Sequence, residues 1–167
     1  GKANACNPKE IENAELEAQC AADYLNMDVE NVLVASTGVI GQVLPIEKIQ
    51  DKVSDINLSS ENNSNAAKAI MTTDTKEKTV AVEFKMGSVT CHMGGICKGS
   101  GMIHPNMGTM LAFITTDCKV EQNVLQSCLL DNTNKTFNRV SVDGDTSTND
   151  MCIVMANGMA QNEVFEK

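Results

Sequence analysis

Three stretches of this 167-residue sequence carry side chains capable of chemistry. Ser36-Thr37-Gly38 closes an apolar run, Lys98 sits in a glycine-rich segment, and Gly108-Thr109 leads into a second apolar run. A hydroxyl, a cation and a glycine-flexible turn are parts that nucleophilic catalysis uses. Each also has an ordinary reading, since Gly-Thr often enters a strand, a lysine is usually solvated, and Thr72 suits the end of a helix. Spacing alone therefore assigns no role. Other patterns fall short. Lys98-Gly99-Ser100 has the residues of a phosphate loop in the wrong order and is followed by Met102-Ile103-His104-Pro105 rather than by a helix. Asp143-Gly144-Asp145 begins like a calcium loop but lacks Gly at the sixth position and Glu at the twelfth. His92 and His104 stand alone, with no Cys-His-Asn or Ser-His-Asp arrangement that spacing supports.

The elements that must position these residues are mixed. Asn7-Pro8-Lys9-Glu10 predicts a capped helix start, and the helix runs to about Leu25 with Ile11, Ala14, Ala18, Ala21, Ala22 and Leu25 as its apolar stripe. Residues 31–36 read as a buried strand delivering Thr37 and Gly38 to a turn. Pro45 opens a helix over 45–56, a loop follows over 57–65, and 66–71 form a short helix. Residues 79–86 alternate and join 89–93 through Gly87-Ser88, a hairpin with one wet face. Five glycines then fall within residues 94–108, a density expected where backbone packs closely around something. Residues 109–116 read as a strand, Asp117 as the N-cap of a helix buried through Val120, Val124, Leu125, Cys128 and Leu129, and 139–142 and 151–156 as strands around a polar turn at 143–150. The class is α/β or α+β, built in layers, without internal repeats.

Composition bounds the partners. The chain is 42% apolar and 21% charged, enough for one domain that buries about 70% of its unfolded surface. Thirteen basic against 22 acidic residues leave a net charge of −9, which argues against nucleic acid or an anionic membrane surface as partner. No apolar run approaches the roughly 18 residues a membrane span needs. Seven cysteines, an odd number without Cys-x-x-Cys, argue against a disulfide framework or a zinc site and for reduced thiols in a cytoplasmic protein. The sequence begins without Met and without a signal segment, as expected of a processed chain or a piece of a longer one.

Several stretches, in one register over essentially the whole chain, resemble the ornithine acetyltransferase family, the glutamate N-acetyltransferases of arginine biosynthesis. They are Ala3-Asn4-Ala5-Cys6, Val34-Ala35-Ser36-Thr37-Gly38-Val39-Ile40-Gly41 with Leu44-Pro45, and Ala69-Ile70-Met71-Thr72-Thr73-Asp74-Thr75. Lys98-Gly99-Ser100-Gly101-Met102-Ile103-His104-Pro105-Asn106-Met107 follows, running into Thr109-Met110-Leu111. The last is Phe137-Asn138 with Val142-Asp143-Gly144-Asp145-Thr146-Ser147-Thr148-Asn149-Asp150.

The resemblance implies a layered α/β sandwich of the N-terminal-nucleophile type that cleaves itself before a Thr. The matching junction is Gly108–Thr109, and many family members have Ala in place of Gly108. Thr109 is then the nucleophile, Thr37 and Gly38 the oxyanion pair, and Thr72, Lys98 and Thr109 the substrate contacts. The implied reaction is ping-pong acetyl transfer from N-acetyl-ornithine to glutamate with no metal or organic cofactor. Some family members also take acetyl-CoA as donor, which the sequence leaves open. The family's processed α and β chains assemble as a heterotetramer. Family chains are more than twice as long, so residues 1–167 correspond to the central part of one such domain, in precursor form and without the family's N- and C-terminal parts. A self-cleaving hydrolase or aminopeptidase-like relative and a non-catalytic fragment are the alternatives.

Overall fold

The computed structural model describes residues 8–104, the backbone of 107–108, and residues 110–166. The expected cap Asn7, the Ala3-Asn4-Ala5-Cys6 motif and Thr109 lie outside the described residues. The chain divides into two units, 1–63 and 64–167.

In the first unit, α1 (Glu10–Leu25) begins two residues after Pro8. Lys9 occupies the N-cap position without a side-chain bond, and Glu10 and Glu12 instead place negative charge at the positive end of the helix. Asn26 stops it in the left-handed conformation, φ 52°, with its N–H on the carbonyls of Ala22 and Asp23. The apolar stripe is only partly inward. Ala22 is buried, Ile11 is 76% exposed, and the polar Asn13 is buried in its place, its Nδ2 donating to the Leu44 carbonyl at 3.4 Å.

The expected helix over 45–56 breaks into α2 (Ile46–Gln50) and a 3-10 turn, Val53–Asp55. Ile46, Ile49, Val53 and Ile56 are β-branched and weaken helix propagation. The strand expected at 31–36 is absent: Val29–Asn31 form a 3-10 turn, and 32–37 run on without a ladder partner. An apolar run does not by itself supply a neighbour to pair with.

α3 (Asn63–Ala69), all but its first residue in the second unit, begins earlier than the expected 66–71. Its four-stranded sheet has the order β1 (Lys78–Met86), β2 (Val89–Lys98), β5 (Leu111–Thr116), β6 (Met151–Ala156). A short hairpin of β3 (Ile103–His104) and β4 (Met107–Gly108) lies between β2 and β5 in the chain. The first two pairings in the sheet are antiparallel and the last is parallel. Parallel pairing of β5 with β6 requires a crossover, supplied by α4 (Gln122–Lys135). β2 runs five residues past the expected end and absorbs Gly94 and Gly95, which sit in the ladder rather than in a loop.

Asp117 does not cap a helix. Its carboxylate accepts from the His92 backbone N–H at 2.7 Å and meets His92 Nδ1 at 2.8 Å, and α4 starts later behind Glu121. No residue of α4 is fully buried, and Cys128 is exposed. The strand expected at 139–142 is instead the end of a 3-10 turn, Phe137–Arg139, followed by irregular backbone. The core of this unit gathers Cys91, Ile103, Leu111, Ala112 and Cys118 around β2 and β5. The described cysteines are free thiols. No helix among the described residues is long and apolar enough to cross a membrane.

Candidate active site

Lys98 is the last residue of β2, paired in register with Leu111, which follows Thr109 by two positions. It is 1% exposed, so the loop lysine of the sequence reading is a buried strand-end lysine. Burial pushes its ammonium below the ordinary value, and the carboxylates of Asp74 and Asp150 oppose that shift.

Asp74 organises this corner. Its buried carboxylate accepts from the Gly99 N–H at 2.8 Å and the Thr72 N–H at 3.4 Å, and it is ion-paired with Lys78. Burial would raise this carboxyl. The Lys78 ammonium and the two backbone donors outweigh it and hold the group below the usual carboxylate range. Gly99 supplies its N–H from φ +141°, a conformation that an L side chain rarely adopts. Asp74 thus joins Thr72 to the residue after Lys98, and Thr73 Oγ1 meets Ser100 Oγ at 2.7 Å beside it. Thr72 itself is exposed.

A cavity of about 480 Å³ opens onto Lys98. Ile103, Met110, Phe137, Val140 and Met151 give it apolar walls, and Lys98, Asp150, Asn138 and Thr133 are polar points. That size and mixture suit a small amphipathic ligand. The Cys97 and Cys152 thiols also line it, both raised above their ordinary pKa by burial, so they stay protonated near neutrality. Asp150 additionally accepts the Met110 N–H at 3.1 Å.

Of the expected site residues, Lys98 and Thr72 come together through Asp74. Gly108 is paired with Ile103 across β4 and β3. Thr109 lies outside the described residues, between the described Gly108 and Met110. Thr37 and Gly38 belong to the first unit, where Thr37 is buried and Gly38 takes φ +143°. Asp74 and Asp150 carry no role in the sequence reading, although both fall inside the matched stretches. Nothing in a carboxylate's neighbours along the chain announces that it will be buried against a lysine.

Residues 1–167 match the ArgJ family from end to end. The chain belongs to that family. It is 50% identical to the arginine biosynthesis bifunctional protein ArgJ of Caldanaerobacter subterraneus subsp. tengcongensis, over 100% of this chain and 42% of that one. It is 49% identical to the glutamate N-acetyltransferase of Methanocaldococcus jannaschii, over 96% of this chain and 41% of that one. The chain therefore spans about two-fifths of the length of the relatives it matches. The crystal structure of ArgJ from Bacillus halodurans superposes with a TM-score of 0.60 at 36% identity, covering 64% of this chain and 57% of that one. The expected α/β class and the expected ArgJ-type kinship are thus both found.

Proposed function

We propose that this ArgJ-family chain contributes the nucleophile and part of the substrate pocket of an enzyme that moves an acetyl group from N-acetyl-ornithine to glutamate. The observation that carries the reading is the buried Lys98 ammonium on a cavity that Met110, the neighbour of Thr109, also lines. A cation placed there suits the α-carboxylate of an acyl amino acid, and the apolar walls suit its acyl and methylene groups.

The chemistry begins with self-cleavage. Thr109 Oγ attacks the Gly108 carbonyl carbon, the Gly108–Thr109 C–N bond breaks, and an ester links Gly108 to Thr109 Oγ. Water hydrolyses that ester, leaving a Gly108 carboxylate and a free α-amine on Thr109. With an unperturbed pKa of about 7.7–8.0, that amine is a base suited to neutral pH. It takes the Oγ proton as Oγ attacks the acetyl carbonyl of N-acetyl-ornithine, and ornithine leaves carrying the proton. The amine of glutamate then attacks the acetyl ester and regenerates Thr109. Thr37 and Gly38 serve as oxyanion donors in both halves, a role worth about 2.7–4 kcal/mol per donor. These groups complete the reaction without a metal or organic cofactor, and acetyl-CoA is a second acetyl donor to test.

Intact-mass measurement is the test. The wild-type chain converts to 1–108 and 109–167, and Thr109→Ala stays whole. With N-acetyl-ornithine and glutamate, N-acetylglutamate appears in step with ornithine. Ornithine without N-acetylglutamate means that water is the acceptor and the activity is hydrolytic. A wild-type chain that never cleaves removes Thr109 from the mechanism.

A further inference from the structure

The segment 142–151 grips two residues in the same way, Ile103, the ladder partner of Gly108, and Met110, the residue after Thr109. On one side, Ile103, the residue paired with Gly108, donates its N–H to Asp143 Oδ1 at 3.0 Å and accepts from the Val142 N–H at 2.9 Å. On the other, Met110 donates its N–H to Asp150 Oδ1 at 3.1 Å and accepts from the Met151 N–H at 3.0 Å. Asp143 Oδ2 also takes the Met102 N–H at 2.7 Å, fixing a non-glycine residue at φ +56°. Each end of the segment thus supplies one carboxylate and one backbone N–H, and the two ends hold residues that flank the junction in the chain or in the ladder.

We propose that Asp143 and Asp150 are positioning residues for self-cleavage, fixing Ile103 and Met110, which bracket the Gly108–Thr109 junction in the chain. The proposal rests on the self-cleavage reading above. An intramolecular acyl shift needs the attacking oxygen and the carbonyl carbon held close and aligned, and small misplacements of reacting groups cost large factors in rate. A hairpin of two two-residue strands has little ladder of its own to hold such geometry. Five hydrogen bonds to 142–151 instead fix its flanking residues Met102, Ile103 and Met110. No proton transfer is assigned to either carboxylate.

The experiment follows cleavage of the full chain by intact mass, with a thermal melt of each variant. Asp143→Ala and Asp150→Ala cleave at least tenfold more slowly than wild type. Conservative variants grade the effect. Asp150→Asn keeps the single acceptor that Met110 uses and recovers most of the rate, whereas Asp143→Asn keeps one of two acceptors and recovers less. Hydroxylamine, which attacks the Gly108 ester once formed, yields a Gly108 hydroxamate in wild type. It does not rescue the alanine variants, because the slowed step precedes the ester. Alanine variants that cleave at the wild-type rate overturn the clamp while leaving self-cleavage intact. Where an alanine variant does not fold, a wild-type rate in Asp143→Asn overturns it equally, and hydroxylamine rescue would place the defect after the shift and also count against it. A wild-type chain that stays whole removes the self-cleavage reading and the clamp with it.

Discussion

Lys98 is the residue at which sequence and structure differ most usefully. Its position in a matched stretch marks it as a ligand contact, yet its neighbours in the chain suggest a solvated loop cation. The structure buries it at the end of β2, with Asp74 and Asp150 as the nearby carboxylates opposing its loss of charge. A buried ammonium is a strong point of attraction for a carboxylate, since a hydrogen bond to a charged group is worth about 1.5–3 kcal/mol. On the proposed acetyl transfer, in which N-acetyl-ornithine and glutamate occupy one site in turn, Lys98→Met therefore raises KM roughly 10- to 150-fold for both. Steady-state kinetics on the assembled enzyme measures this, and a KM change for one substrate alone would contradict a shared carboxylate contact. Asp74 was not legible in the sequence because, apart from Lys78, the partners that fix it are backbone N–H groups, of Thr72 and Gly99, that every sequence offers.

At the level of elements, the β1–β2 hairpin was legible because alternation and a two-residue Gly87-Ser88 turn are local signals. The runs at 31–36 and 139–142 carry strand-like side chains, but a strand exists only where a partner does, and neither finds a ladder. Asp117 has the chemistry of an N-cap and spends it on His92 across the sheet. The glycine-rich segment separates into two kinds of position. A Cβ on Gly95 would meet Val80 Cγ1 at 3.5 Å and Ile114 Cγ1 at 3.6 Å, ordinary contact distances in a strand interior. Gly95→Ala is accordingly tolerated and raises stability by about 0.4–1 kcal/mol through the unfolded chain. Gly99, at φ +141° and bonded to Asp74, is the opposite case, and Gly99→Ala lowers stability by about 1–3 kcal/mol. Urea midpoints of the two variants against wild type check the pair. Equal midpoints would mean that the glycine inside β2 and the one just after it are not distinguished by their backbone conformations.

For the whole molecule, the net charge of −9 says little about chemistry, but the placement of carboxylates predicts how the two units respond to acid. In 64–167, Asp74, Asp117 and Asp143 are all held below the ordinary carboxylate range. Burial opposes the shift at Asp74, where Lys78 and two backbone N–H groups prevail. The His92 N–H and imidazole act at Asp117, and the Met102 and Ile103 N–H groups act at Asp143. A carboxyl depressed by folding contributes stability above its unfolded pKa of about 3.9, and that contribution is lost as pH falls through the folded value. In 1–63 the shifted carboxyl among the described residues is Glu17, raised by burial, and its sign is reversed: acid relieves the cost of keeping it charged. Acidification below about pH 4 should therefore weaken 64–167 before 1–63. The sequence supplies a reporter, because the chain has no Trp and its single tyrosine, Tyr24, lies in α1 with its hydroxyl donating to the Ile56 carbonyl. On stepwise acidification the sheet signal in circular dichroism is lost at a higher pH than the change in Tyr24 emission. Coincident transitions, or tyrosine emission changing first, would show that the depressed carboxylates of the sheet unit do not govern its acid stability.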